Sequence, residues 1–273
     1  MDENIEIYHG KILYNRFYWE VFMLKKYTEA DFYLLEDVAR GRLSPDGISA
    51  FFIATLIYSG IITLILVSGA NNNTHITNQI WKVILKADLW ILLVHFLIAI
   101  FFIKEKIYIK FQKLQVVLLN VITIKMSVEF YQVFFLACED KKAPSYMARA
   151  GMILLLVGVG FLIASTIRAI HRVKQGKFRR GGEGLFNFKK SKLYVSSPFV
   201  FGLVMLSGTF ARSFSGSSDM RKIIPGLMFM LLLCAFVQYA MALAIPEFFL
   251  VTYCKFRFKS FNMEPRKRIN KKR

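Results

Sequence analysis

The side chains with chemistry to offer sit where charge is least expected. Asp88 and His95 lie in one long apolar run, and Lys125 and Glu129 lie in the next. Lys125 and Glu129 are four residues apart, so on a helix they share a face and can pair. At 1.5 Å of rise per residue, Glu129 and Asp88 each fall about 22 Å from the basic ends of their runs, and Lys125 about 16 Å. Two consecutive antiparallel helices could therefore bring Asp88, Lys125 and Glu129 to similar depth. A proton or ion relay would use these groups with Glu129 or Asp88 as the titrating carboxylate and His95 as its neighbour. The plainer alternative is an internally neutralised Lys-Glu pair, with His95 bonded to another helix. Charge at such depth is costly unless paired, and it faces a bundle interior or water.

The elements that must position these residues follow from the apolar pattern. Of 273 residues, 55% are hydrophobic and 27 are Phe, and the apolar runs reach the roughly 20 residues that a membrane-crossing helix needs. Six spans are expected: Ile48 to Ser68, Trp81 to Ile103, Leu114 to Cys138, Ala150 to Ile167, Leu193 to Ala211, and a last one from Ile223 whose apolar character persists to Cys254. Pro246-Glu247 is expected to mark the exit of that last span, with Phe248 to Phe261 running on along the interface. Glu247 is expected to meet the basic tail or a basic loop. Trp81 and Tyr253 suit interfacial belts.

Before the first span, residues 1–47 read as a small cytoplasmic α+β head. Lys11 to Leu24 is rich in aromatic and β-branched residues, with a turn at Asn15-Arg16, and predicts a hairpin. Thr28 with Asp31 forms a variant capping box ahead of a helix over Glu29 to Arg40, which Gly41 ends. Ser44-Pro45-Asp46-Gly47 reads as a turn. The acidic start, Met1 to Glu6, and an apolar run beginning only near Ile48 do not match a cleaved leader. The fold class expected is thus an all-α integral membrane protein of six transmembrane helices, 48–254, with the head before it and a basic tail, 255–273, after it.

Charge orients the bundle. The loop from Arg168 to Lys192 and the tail from Lys255 to Arg273 each carry nine Lys or Arg against a single Glu. With both termini cytoplasmic, the inner segments hold 28 Lys or Arg and the outer loops five. That bias is the positive-inside pattern of a multi-pass cytoplasmic-membrane protein. The net charge of +19 does not imply nucleic acid, because the basic residues flank apolar segments and no nucleic-acid motif accompanies them. Phe residues interleave with the loop and tail cations. Lys177, Arg179, Arg180, Lys189, Lys190, Lys255, Arg257 and Lys259 are therefore candidate contacts to anionic lipid head groups.

Motifs for catalysis are missing, so no enzyme and no cofactor is expected. Gly181-Gly182-Glu183-Gly184 lacks the lysine and hydroxyl of a phosphate-binding loop and reads as a hinge. His9, His75, His95 and His171 stand alone, and Cys138, Cys234 and Cys254 form no metal-type pair. Cys254 beside Lys255 invites acylation, against the reading of a small apolar filler. Gly151, Gly158 and Ser165, spaced by seven, form a small-residue stripe that permits close helix packing inside the monomer or between subunits.

The layout of KKYTEADFYLLEDVARG before span one and FFIKEKIYIKFQKL after span two, within the first 115 residues, resembles the tandem-encoded polytopic membrane proteins of Gram-positive bacteria. Some members act as immunity proteins against membrane-damaging toxins. The resemblance implies a role through helix-helix contact with a membrane partner, as an immunity or accessory factor, and it carries over no functional residue. The alternative is a transporter or a permease subunit of ABC type, using the Asp88/Lys125/Glu129 group. The partners expected are membrane lipids and a membrane protein or a second copy.

Overall fold

The computed structural model describes residues 24–72, 79–185 and 220–264. Among these lie seven α-helices: α1 (Tyr33–Arg40), α2 (Pro45–Asn72), α3 (Ile80–Phe101), α4 (Glu105–Lys110), α5 (Gln112–Asp140), α6 (Ser145–Lys174) and α7 (Met220–Arg257). Short 3-10 turns cover Leu24–Lys26, Glu29–Phe32 and Lys259–Phe261, and no strand occurs among the described residues. The hairpin expected before Leu24 and the span expected over Leu193 to Ala211 lie outside the described residues. Five of the described helices, α2, α3, α5, α6 and α7, are long and apolar enough to cross a membrane.

Helix ends differ from expectation for local reasons. Ser44 to Gly47 is not a free turn. Ser44 sits at the cap, its Oγ accepts from Gly47 N–H at 3.4 Å, and Pro45 is the first residue of α2. Proline suits that position because its missing N–H would have had no helical partner. The segment expected as a helix over Glu29 to Arg40 divides into a 3-10 turn and α1. Thr28 N–H donates to Asp31 Oδ2 at 2.8 Å there, so the carboxylate ties down the helix start.

Two helices run further than their most apolar stretches. In α6, Ala169, Ile170 and Val173 are buried, so the apolar face continues through Arg168 to Lys174, the expected start of a loop. In α7, Pro246 does not end the helix. Proline removes one backbone bond, a loss that neighbouring helices can absorb in a membrane protein. The buried positions Ile245, Leu250, Val251 and Cys254 keep the inward face going past it. Phe248 to Arg257 is therefore packed helix, not an interfacial strip.

α5 is the hub. It packs against α2 on one side and α7 on another, α6 packs on α7, and α3 lies against α2. Half of the apolar window of α5 is buried (50%), against 17% for α3, so α3 is the peripheral helix.

The head is a cap on one end of this bundle. Phe32 and Leu35 join Ile48, Phe52, Phe102, Val116, Val173, Phe178, Val251, Cys254 and Phe261 in the largest buried cluster. Around 47 residues cannot build much of a core alone, and this head shares that of the bundle. Polar clasps close over it. Leu34 N–H donates to Phe178 O at 3.0 Å, Arg179 Nε to Asp31 Oδ1 at 2.7 Å, and Arg257 to Leu24 O at 2.9 Å. Glu247 pairs with Arg42, at the entry to α2, rather than with the basic loop or tail.

Candidate functional site

The interface of α2, α3 and α5 carries a ladder of polar contacts. On α5, Lys125, Glu129 and Gln132 follow one another at spacings of four and three, so they share a face. Asp88 and His95 are seven apart on α3, as are Trp81 and Asp88, and all three are buried while most of that helix is exposed. Thr55 and Ser59, four apart on α2, complete the set.

Four rungs result. Nearest the head, His95 Nε2 lies 3.3 Å from Thr55 Oγ1. Next, Lys125 Nζ meets Glu129 Oε1 at 2.5 Å, and Ser59 closes the pair. Its hydroxyl donates to Glu129 Oε2 at 2.9 Å and lies 2.9 Å from Lys125 Nζ. The third rung is Gln132 Nε2 donating to Asp88 Oδ1 at 3.2 Å. The last is Trp81 Nε1 donating to Glu139 Oε2 at 2.6 Å. From His95 to Trp81 the rungs cover about 21 Å along α3, some two thirds of a hydrocarbon core of roughly 30 Å.

The four expected residues are thus neighbours on one seam but not one cluster. Lys125 and Glu129 pair as their spacing requires. Asp88 meets Gln132 instead of Lys125, and His95 sits on the far side of the pair, on a hydroxyl of α2. Thr55, Ser59 and Gln132 were not singled out from the sequence. Their signal was positional: two hydroxyls four apart in span one, and an amide three residues beyond Glu129. Trp81, expected in an interfacial belt, is only 6% exposed and faces the bundle.

Satisfaction differs between rungs. Glu129 has a partner on each oxygen. Asp88 Oδ2 and Gln132 Oε1 are buried and have no hydrogen-bond partner. His95 Nδ1, on the first rung, is likewise buried without a partner. Burying a polar atom unpaired costs about 1–3 kcal/mol, so the seam is strained in polar terms at both rungs. A carboxylic acid at Asp88 would present a donor to a partner that has an acceptor spare. No group of three His, Cys, Asp or Glu gathers as metal ligands among the described residues.

The small-residue stripe is spent inside the fold. A side chain at Gly151 would strike the ring of Phe134, and one at Gly158 would strike Gln238. Ser165 Oγ donates to Ala242 O on α7 at 2.6 Å. Gly160, beside the stripe, faces open space.

The candidate lipid cations separate into groups. Lys189 and Lys190 lie outside the described residues. Arg179 is held by Asp31, Lys177 lies 3.4 Å from Glu183, and Arg180 lies over the Tyr33 ring at 5.9 Å. Arg257 is committed to Leu24 O and to the Tyr253 hydroxyl. Lys255 is 0% exposed and its Nζ has no hydrogen-bond partner, so it is not a lipid contact at the surface. It lies on the inward face of α7, whereas Lys259 is exposed. Cys254 beside it is also fully buried and serves as core filler, not as an open acylation site.

Helices of this length and apolarity, with carboxylates turned inward and Leu, Ile and Val turned outward, define a multi-pass helical membrane protein. Comparison with family models, with curated proteins and with solved structures finds no match for this chain.

Proposed function

We propose that the chain is a six-crossing protein of the cytoplasmic membrane, with both ends inside, that moves protons or small cations along the seam between α2, α3 and α5, as a transporter or permease subunit does. The observation that carries this reading is the Asp88-Gln132 rung, a buried carboxylate and amide that keep two acceptor oxygens unsatisfied. Intramembrane carboxylates that line an interior seam are the parts from which ion and proton relays are built. The 28-to-five bias of Lys and Arg supports the orientation. The apolar run over Leu193 to Ala211 supports the sixth crossing.

The test is flux through purified full-length protein in liposomes loaded with a pH-sensitive dye, under an imposed potential. Asp88→Asn and Glu129→Gln are each expected to cut the flux at least tenfold. Wild-type flux in both variants, or wild-type protein no faster than empty liposomes, overturns the reading.

A second reading, an immunity or accessory factor that binds another membrane protein by helix contact, has its own support. Met152, Leu156, Gly160 and Ile163 form an exposed stripe on α6, and the open space at Gly160 favours close approach of a helix. Protection of cells from a toxin encoded beside the gene, undiminished in Asp88→Asn, would favour this role over transport. Loss of protection in a variant with Gly160→Phe would place the contact on α6.

A further inference from the structure

An apolar groove lies between α2 and α3. Its volume is about 380 Å³, and Leu56, Gly60, Leu89, Leu92, Leu93 and Phe96 line it. A second hollow of about 220 Å³, lined by Lys86, Leu89, Trp90 and Leu93, shares two of these leucines. The two adjoin at Leu89 and Leu93, which makes a track along α3 with Lys86 at one end and the slot at the other. Gly60 deepens the slot, since a side chain there would meet nothing within 4 Å.

The charge at the upper end is unusual in its placement. Lys82 and Lys86 are four residues apart in the first two turns of α3, and both are exposed. Among the described residues, no ion pair involves either of them. Long lysine stems can lie along apolar surface while the ammonium rises to the head-group level. From Lys86 to Phe96 the track covers about 15 Å along α3, and its lower end passes the middle of a helix that runs from Ile80 to Phe101.

We propose that this track is a binding site for one anionic phospholipid, with an acyl chain in the slot over Gly60 and the phosphate held by Lys86 and Lys82. An apolar slot alone would accept any lipid chain. Two ammonium groups in the first two turns of α3 select for negative charge. In the orientation with both ends inside, the lipid belongs to the outer leaflet. The site itself depends only on the helices crossing a membrane, whichever way they point, and on neither functional role.

Trp90, 68% exposed and lining the track, is the reporter. Full-length protein is placed in nanodiscs of phosphatidylcholine containing phosphatidylglycerol brominated on its acyl chains, or brominated phosphatidylcholine. The fluorescence component absent from Trp90→Phe isolates the signal at this position. Half-maximal quenching is expected at roughly thirtyfold lower mole fraction of the anionic lipid, the selectivity that two lysines near a surface supply. Lys82→Gln with Lys86→Gln should erase that preference. Gly60→Leu, which fills the slot, should weaken quenching by both lipids. If wild-type Trp90 is quenched equally by both lipids in proportion to their mole fraction, or if the double lysine variant keeps the preference, the proposal fails.

Discussion

Gln238 lies directly over Gly158, where it donates from Nε2 to Leu155 O at 3.0 Å and accepts from the Tyr131 hydroxyl at 2.9 Å. One amide on α7 thereby ties α5 to α6. A Cβ at position 158 would sit 2.1 Å from Gln238 Oε1, so the amide must move and both bonds must go. Gly158→Ala should therefore lower stability in detergent by about 1–3 kcal/mol, as overpacking with loss of interhelical bonds does. A Gln238→Ala background should remove most of that penalty. Denaturant unfolding followed by helix signal measures both; equal penalties in the two backgrounds would contradict the arrangement.

Lys125, partly exposed, pairs with the buried Glu129, and the halves are worth little apart. Lys125→Met leaves the Glu129 carboxylate with Ser59 alone, and breaking such a pair costs about 3–5 kcal/mol. Replacing both residues by Met and Leu should cost far less, because no charge then remains to bury. Unfolding of the single and double variants in the same detergent separates these outcomes. A double variant as unstable as the single would mean that the pair is needed for packing and not for neutrality.

Asp31 connects the head to the loop after α6. Burial pushes its carboxyl up, but hydrogen bonds from Thr28 N–H, from the Arg179 guanidinium and from the Thr28 hydroxyl outweigh this and leave it below the ordinary carboxylate value. A carboxylate whose folded value is depressed stabilises fully above its unfolded value, about 3.9, and loses that contribution as pH falls through the folded one. Arg179 is largely exposed, with 64% of its side chain in contact with solvent, so water screens the pair and Asp31→Asn should cost only about 1 kcal/mol at neutral pH. The gap between wild type and Asp31→Asn should hold steady down to about pH 4 and close in stronger acid. A gap that widens as pH falls would reverse the sign and refute the assignment.

Cys138, Cys234 and Cys254 are 6%, 0% and 0% exposed. None should react with a maleimide in intact membranes or in mild detergent, and all three should react once the chain is unfolded in a harsh detergent. Mass measurement after labelling reads the count directly. Rapid labelling of the native protein at Cys254 would show that the end of α7 does not pack as described.

Much of the fold was legible because lipid imposes a simple demand. All five described spans were found from apolar runs, within a few residues at most ends, and the start of the 3-10 turn ahead of α1 from Thr28 and Asp31. The misjudged ends share one cause. Ser44-Pro45 and Pro246-Glu247 look like breaks, but α2 starts on the first and α7 runs through the second because the residues beyond them face a core that the sequence does not display. The site was half legible. A pair four apart on one helix is fixed by helical geometry, so Lys125 and Glu129 could be named. Which residue faces Asp88 depends on the rotation of α3 against α5, and only packing sets that.

The amino-acid sequence determined the medium and the crossings. Runs of Leu, Ile, Val and Phe must bury themselves in hydrocarbon, and backbone hydrogen bonding then forces them into helices. Their Lys and Arg flanks carry the information on direction. Tertiary structure decided how polar groups were shared out: Ser59 to Glu129, Gln132 to Asp88, Thr55 to His95, and Arg42 to Glu247. In a membrane most faces of a helix are equally apolar, so burial alone does not choose a helix rotation. That choice falls to the few polar side chains, each of which must find its partner across a helix boundary.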